Sequence, residues 1–301
     1  MDRLEAMSVL LAVVEAGNLS AAARRLGTPL STVSRKISDL ETLLGAKLFS
    51  RSSRRIVLTE AGQSYVAACK RILSDIEEAE RAASGEYKAP RGDLVITAPV
   101  VFGRLHVLPL VVAFLDAYPE INIRLVLADR VFHLLDDHVD VALRIGALPD
   151  SSLVAIRLGQ IRRVVCGSPA YFAGKGMPET PQALSSHSCI GFDGLTSANG
   201  WNFLAGTTEQ TIGVRCRLVV NTAEAAIDAA IAGLGVTRVL SYQVAGAIRA
   251  GLLETALRKF EPEPWQVSLI HGGQGLLPLK LRAFLDFATP RLRTALSGAS
   301  P

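Results

Sequence analysis

Residues 21–37, AAARRLGTPLSTVSRKI, set three alanines before a glycine and a run of hydroxyl and cationic side chains after it. Ser20 is predicted to cap a short helix that Gly27 ends, and a second helix is predicted to begin near Ser31. Two helices joined by a turn of about three or four residues cross at close range, and alanines leave room for that approach. The segment therefore predicts a helix-turn-helix.

The flanking sequence completes a small all-α core. A first helix is predicted over residues 3–16, ending at Gly17, and the last helix shows a buried stripe of Val33, Ile37 and Leu40. The opposite face of that last helix carries hydroxyls and cations. In a helix-turn-helix this face enters the major groove, where such side chains reach base edges and phosphates. The predicted DNA-contacting residues of the two helices are Arg24, Arg25, Ser31, Thr32, Ser34, Arg35 and Lys36.

Residues 46–62, AKLFSRSSRRIVLTEAG, predict a two-stranded ribbon because apolar runs flank the polar SRSSRR. The tip of this ribbon carries Arg51, Arg54 and Arg55, which are predicted to contact backbone phosphates or the minor groove. Residues 1–58 hold nine Lys or Arg against five Asp or Glu, and the whole chain has a net charge of +4, so the remainder is balanced. Residues 1–58 are therefore predicted to form a winged helix-turn-helix that binds a polyanion.

A long helix is predicted to follow, with Thr59 as its cap. Its apolar residues recur at heptad spacing. A helix of about 27 residues is roughly 40 Å long, more than a winged domain needs for its own core. Residues 59–87 are therefore predicted to form a dimerisation helix, and the alternative of a surface helix packed on its own chain stays open. The predicted seam residues are Tyr65, Cys69, Ile72, Ile76 and Ala79.

After a hinge over residues 88–92, in a stretch that mixes Gly, Pro and charge, strands and helices alternate. The strands DLVITAPV and INIRLVLA, with a helix between them, are typical of parallel βαβ units. The late strand WQVSLIHGG and the helix after Pro278 are predicted to return to the first lobe. Residues 93–301 are thus predicted to form a two-lobed α/β effector-binding domain. The predicted lobes are residues 93–161 with 266–296, and residues 162–265.

The segment FSRSSRRIVLTEAG, following VSRKISDLE, resembles the LysR-type transcriptional regulators, and the resemblance covers essentially the whole chain. It implies a winged domain that binds promoter DNA, a long helix that forms a dimer, assembly into a tetramer, and an effector domain like a periplasmic binding protein. Many members begin the recognition helix with Ser-Gln-Pro, where this chain has Pro29, Leu30 and Ser31. Without a glutamine there to read adenine, base readout is expected to fall on the hydroxyls and the arginine that follow.

Ligands of such two-lobed domains bind where the carboxyl ends of strands face helix N-termini. TAPVVFGR, residues 97–104, and NTAEAA, residues 221–226, each run from a strand into a helix whose free N–H groups attract an anion. A small carboxylated or aromatic effector is therefore expected between these turns. In the alternative interpretation, the threonines of the two turns only cap helices and Arg144 pairs with Asp140 or Asp129. The predicted effector contacts are Thr97, Phe102, Gly103, Arg104, Arg144, Thr222 and Thr237.

Signals for other chemistry are weak. The sequence contains no G-x-S-x-G, P-loop or H-E-x-x-H motif, so neither catalysis nor a cofactor is expected. The four cysteines lack C-x-x-C spacing, and HLLDDH, residues 133–138, matches no established ligand spacing, so no metal site is predicted. The resemblance makes Cys166, Cys189 and Cys216 candidates for a redox switch of the kind known in peroxide-sensing relatives. Of the three, Cys216 lies between two arginines, the setting of a reactive thiol.

The predicted function is a sequence-specific DNA-binding transcriptional regulator whose promoter binding changes with a small effector bound between the lobes. Its predicted partners are double-stranded promoter DNA, the effector and further copies of itself, with RNA polymerase as a candidate. No basic-plus-apolar leader and no apolar run near 18 residues is visible, so a cytoplasmic protein without a membrane partner is expected. A thiol redox-responsive regulator and a nonspecific architectural DNA-binding protein remain the alternatives.

Overall fold

The computed structural model describes residues 2–50, 57–83, 89–129, 139–148, 153–192, 199–272 and 277–298. The chain forms two compact units, Met1–Ala89 and Pro90–Pro301. The first unit is mainly helical, and the second is built around two five-stranded mixed sheets.

The first unit contains the predicted three helices, short ribbon and long helix. Asn18, rather than the predicted Ser20, caps the second helix, because its side chain accepts a hydrogen bond from the backbone N–H of Ala21 at 2.7 Å. Gly27 ends that helix with φ of 63°, in the left-handed region that favours glycine. The elements are α1 (Arg3–Ala16), α2 (Leu19–Leu26), α3 (Leu30–Leu44), β1 (Phe49–Ser50), β2 (Val57–Leu58) and α4 (Glu60–Ala83).

Small side chains allow α2 to pack closely within this unit. Ala22 and Ala23 are buried in one core with Leu10, Val33 and Leu40. Protein cores are closely packed, so larger side chains at these two positions would displace their neighbours. The predicted helix-turn-helix is present as α2 and α3.

The second unit consists of two lobes, each built on one sheet. Lobe 1 contains β3 (Gly92–Ala98), β4 (Ile121–Leu127), β5 (Val141–Ile145), β6 (Val154–Ile161) and β14 (Trp265–His271), in the order β4-β3-β5-β14-β6. Lobe 2 contains β7 (Arg163–Gly167), β8 (Cys189–Phe192), β11 (Cys216–Val220), β12 (Val236–Leu240) and β13 (Glu254–Ala256), in the order β11-β8-β12-β7-β13. A hairpin of β9 (Gly200–Ala205) and β10 (Thr208–Gly213) forms a separate antiparallel ribbon.

The chain crosses between the lobes twice, between β6 and β7 and again before β14. β14 begins at Trp265, the first residue of the predicted strand and one residue before the predicted lobe boundary, and Trp265 pairs with Ile161. The Arg163 guanidinium lies 4.6 Å from the Trp265 ring centroid, a cation–π contact. The helices are α5 (Val100–Phe102), a π-helical turn (Gly103–Val107), α6 (Leu108–Ala117), α7 (Pro169–Lys175), α8 (Ala223–Ile231), α9 (Ser241–Arg249) and α10 (Leu279–Gly298).

One helical stretch of the described residues, Val100–Ala117, is long and apolar enough to cross a membrane, and the bent pair α1 and α2 passes the same test together. Phe102 and Phe114 of this stretch are buried in the lobe 1 core, and Leu10 of α1 is buried in the core of the first unit. Such burial is the pattern of core helices in a folded domain.

Candidate DNA-binding surface and ligand cleft

The outer face of α3 carries the side chains predicted to contact bases. Ser31, Ser34 and Arg35 are exposed, and Thr32 and Lys36 are half-buried. An exposed row of hydroxyls beside an arginine can donate and accept hydrogen bonds at the base edges of a major groove. The structure thus places these five residues on one helix, with the arginine free to reach outward.

The other cations near this face differ in their partners. Arg25 pairs with Glu15 at 2.7 Å, although 62% of its side chain is exposed. Lys36 contacts Glu5 of α1, and only 17% of its side chain is exposed. Arg24 is exposed. A paired and largely covered lysine is a poor phosphate ligand, so Arg24 and Arg35 are the stronger candidates for contacts to DNA.

The base of the ribbon is tied to α3 by Glu41, which the sequence analysis did not single out. Its carboxylate accepts hydrogen bonds from the backbone N–H of Leu48 at 2.9 Å and from Lys47 at 2.6 Å. Burial opposes ionisation, but these bonds hold the pKa of Glu41 below its usual value. Phe49 pairs with Leu58 across the ribbon. The predicted tip residues Arg51, Arg54 and Arg55 lie outside the described residues.

The predicted dimer seam divides into two parts. Thr59 caps α4 as expected, with its hydroxyl accepting from the Gly62 N–H at 2.9 Å. Cys69 is fully buried in the core of its own unit, and Tyr65 packs against that core, so these two residues already have intrachain partners. Ile72 is 38% exposed and Ile76 is half-buried. The Ala79 side chain lies outside the description.

The two lobes of the second unit meet through aromatic side chains. Phe102 of lobe 1 and Tyr242 of lobe 2 have ring centroids 5.2 Å apart, and His106 lies 4.7 Å from Phe102. Burial, together with the carboxylates of Asp129 and Glu224, raises the pKa of Tyr242. Tyr242, His106, Asp129 and Glu224 were not predicted as site residues, because nothing in their local sequence signals an approach between distant segments.

An ion pair also connects the lobes. Arg104, predicted to contact the effector, has its guanidinium 3.7 Å from the Glu224 carboxylate, and 56% of the arginine side chain is exposed. Gly103 opens the π-helical turn beside it, where a Cβ would lie 2.1 Å from the Leu127 side chain. Gly103 therefore allows a close packing contact inside lobe 1.

The helix N-terminus after β3 is not open as the sequence suggested. The Asp129 carboxylate accepts a hydrogen bond from the Val100 N–H at 3.1 Å. In lobe 2, the Thr222 hydroxyl accepts a hydrogen bond from the Ala225 N–H at 3.3 Å. This is the helix cap that the alternative interpretation of the sequence described. Side-chain oxygens thus already satisfy a donor in each turn, which weakens the attraction of both turns for an anion.

The remaining predicted contacts lie inside the sheets. Thr97 is fully buried, and among the described residues its hydroxyl has no hydrogen-bond partner. Its register partner is Ala142, which belongs to a cluster separate from that of Phe102. Arg144, two residues along the same strand as Ala142, donates to the Leu143 carbonyl at 3.1 Å. Register partners share a face, so Thr97 and Arg144 lie on the same face of the lobe 1 sheet.

Of the predicted effector contacts, Thr237 lies inside lobe 2. It is fully buried in β12, and its hydroxyl donates to the Ile190 carbonyl at 3.1 Å. Because this buried hydroxyl already has a hydrogen-bond partner within the sheet, its main role is to stabilise the sheet. The structure therefore brings Phe102, Arg104 and the turn of Thr222 together, while Thr237 lies within the lobe.

The crossovers between the lobes carry two arginines that the sequence analysis missed. The Nη1 atom of Arg162 donates to both carboxylate oxygens of Glu261, at 2.9 and 3.2 Å, joining the two connecting segments. Arg163 donates to the Glu263 carbonyl at 3.2 Å. Both arginines thus hold the first connecting segment to the second.

Two family models match the chain. "Bacterial regulatory helix-turn-helix protein, lysR family" matches residues 4–63, and "LysR substrate binding domain" matches residues 88–293. The chain belongs to the LysR family. Both matched parts belong to regulatory proteins, so this LysR-family protein is a regulator and not an enzyme. The α/β effector-type domain and the N-terminal helix-turn-helix are thereby confirmed.

Relatives of this LysR-family protein match over nearly their whole length. The HTH-type transcriptional activator AaeR of Escherichia coli (strain K12) is 34% identical, covering 96% of this chain and 94% of its own. An HTH-type transcriptional repressor of Pseudomonas aeruginosa is 32% identical, covering 95% and 91%. The solved structure of CrgA, a LysR-type transcriptional regulator from Neisseria meningitidis, is 30% identical, covers 96% of this chain and 98% of its own, and has a TM-score of 0.61. These relatives include both an activator and a repressor, so similarity to them is compatible with either direction of regulation.

Proposed function

We propose that this protein binds a two-fold symmetric promoter site as a dimer, and that a small effector bound between its two lobes changes that binding. The exposed row of Ser31, Ser34 and Arg35 on α3 carries the first part of the proposal. Hydroxyls and guanidinium groups on the second helix of the motif can read base edges. Arg24 and the ribbon add phosphate contacts, which make binding dependent on salt.

Self-association is supported by apolar side chains that remain outside the cores. Ile72 of α4 is 38% exposed on the predicted seam. In lobe 1, Leu105, Leu108 and Val112 are 40%, 44% and 61% exposed at helical spacing. Apolar stripes of this kind mark interaction sites between proteins. A symmetric dimer places two recognition helices on two half-sites, which multiplies specificity.

The surroundings of the lobe contact favour an uncharged or cationic aromatic effector over a carboxylate. The rings of Phe102 and Tyr242 are buried against each other, and the half-buried ring of His106 beside Phe102 is the aromatic face that an effector can meet. The carboxylates of Asp129 and Glu224 lie close enough to raise the pKa of Tyr242. Arg104 pairs with Glu224, so of these three charged groups two are acidic and their sum disfavours an anion. Of the two effectors expected from the sequence, a carboxylated or an aromatic molecule, this proposal keeps the aromatic one.

The effector chemistry is tested with matched pairs of aromatic amides and carboxylates, for example benzamide and benzoate. Thermal unfolding of the full chain is measured at equal ligand concentrations. The proposal predicts a larger rise in Tm with the amide, because a ligand that binds the folded state stabilises it. A larger rise with the carboxylate contradicts the assignment.

A regulator bound at a promoter is positioned to contact RNA polymerase, and RNA polymerase is therefore proposed as a further partner.

To test DNA binding, purified protein is mixed with random genomic fragments and the retained fragments are sequenced. Enrichment of a two-fold symmetric sequence supports the proposal. Uniform retention that salt abolishes indicates phosphate binding alone and favours an architectural DNA-binding protein.

A further inference from the structure

A large apolar side chain lies at the start of α3, beside the exposed hydroxyls. Leu30 is the first residue of α3, and it is 47% exposed. Ser34, one helical turn further on, is its neighbour on the helix surface, and Ser31 and Arg35 are exposed as well. We propose that Leu30 reads thymine by packing against the 5-methyl group of this base, which rests on the proposed entry of α3 into the major groove.

The apolar stripe of α3 extends one turn beyond the core of the first unit. Val33, Ile37 and Leu40 continue from Leu30 at helical spacing, and all three are buried in that core. Leu30 belongs to the same stripe, yet nearly half of it is exposed. The core therefore covers only part of Leu30, and the rest of its apolar surface remains available to another molecule.

The charge around Leu30 favours DNA as the molecule that covers it. Arg24 and Arg35 are exposed on the same pair of helices, and residues 1–58 hold nine Lys or Arg against five Asp or Glu. A second copy of the chain docked here would bring like charges together, whereas DNA brings phosphates. In a helix-turn-helix, the N-terminal residues of the second helix contact base edges, and Leu30 is the first of them.

The chemistry of leucine selects one base. The major-groove edges of guanine, adenine and cytosine present hydrogen-bond donors and acceptors, and thymine alone adds a methyl group. A donor or acceptor covered by an aliphatic side chain loses its bound water and gains no partner, which costs free energy. Covering the thymine methyl group instead removes apolar surface from water, which is favourable. Leu30 thus favours thymine over the other three bases at the position that it covers.

The test removes the methyl group from the DNA and leaves the protein unchanged. A binding site is first selected from genomic fragments. Each thymine of this site is then replaced singly by deoxyuridine, which pairs in the same way but lacks the 5-methyl group. Fluorescence anisotropy with the full chain is expected to show a loss of affinity of about fourfold at one thymine in each half-site, the effect of a single buried methyl group.

A variant of the protein identifies the side chain that meets this methyl group. Leu30→Ala is expected to bind the selected site more weakly and to bind the thymine and deoxyuridine forms of the sensitive position equally well. Leu43→Ala is the matched control, because Leu43 is 50% exposed near the other end of the same helix. The control is expected to keep the fourfold ratio. Both variants are expected to fold, since both leucines are exposed and alanine favours a helix.

Two results overturn the reading of thymine by Leu30 while sequence-specific binding stands. One is a selected site at which no thymine responds to deoxyuridine. The other is a response that persists undiminished in Leu30→Ala, which assigns the methyl contact to a different side chain. If no site is selected at all, sequence-specific binding itself is contradicted, and the reading of thymine is contradicted with it.

Discussion

The side-chain amine of Lys36 contacts the carboxylate of Glu5, so that the recognition helix α3 is tied to α1. Its neighbour Arg35 is exposed. Two adjacent cations that the sequence assigns to the same role thus differ in what they touch. We expect Arg35 to act on DNA and Lys36 to act mainly within the protein.

Arg35→Ala is expected to weaken binding to the preferred DNA site by about 1–3 kcal/mol and to relax sequence preference, as for an arginine that reads a base. Lys36→Ala is the matched control. Because Glu5 is 57% exposed, we expect the control to lower the free energy of unfolding by about 1 kcal/mol or less. Fluorescence anisotropy on the preferred and a scrambled site checks the first effect. An equal loss from Arg35→Ala on both sequences would make it a phosphate contact.

Replacing Ile72 and Ile76 together with Asp is expected to split the dimer, since two charges would enter the predicted apolar seam. Sedimentation velocity measures the mass. Ser64→Asp, at an exposed position earlier on the same helix, controls for added charge and should leave the mass unchanged. An undivided dimer in the double variant would contradict the seam.

Gly62→Ala is expected to destabilise the first unit. An added Cβ would lie 2.0 Å from the Leu48 carbonyl oxygen, so the start of α4 would have to move away from the ribbon. Gly246→Ala is the control, because nothing lies within 4 Å of its added Cβ in α9. Alanine is the better helix former by about 1 kcal/mol, so the control should be neutral or stabilising. Equal melting temperatures for both variants would contradict the close approach.

Acidification is expected to destabilise the second unit. Burial lowers the pKa of His106, His187 and His271, with Lys175 adding to the effect at His187. Below about pH 6.5 the unfolded chain takes up protons before the folded chain does, so the free energy of unfolding falls as the pH falls. Denaturant titrations at a series of pH values check this. His106→Gln should flatten the dependence, and an unchanged slope would show that His106 protonates equally in both states.

Features fixed by local sequence were predictable, and those fixed by distant segments were not. Gly27 and the alanines that precede it identified the helix-turn-helix, because the turn and the close approach of the two helices both depend on residues a few positions apart. Cys69 fitted a heptad, but its burial depends on how α4 meets α1. Asp129 lies 29 residues from the Val100 N–H that it caps.

The most direct test of the account is the affinity of the purified protein for its selected DNA site and for a scrambled fragment of equal length, measured at the same salt concentration. Sequence-specific readout from α3 predicts an affinity ratio of about 1,000 or more in favour of the selected site. Equal affinities for the two fragments would contradict the account.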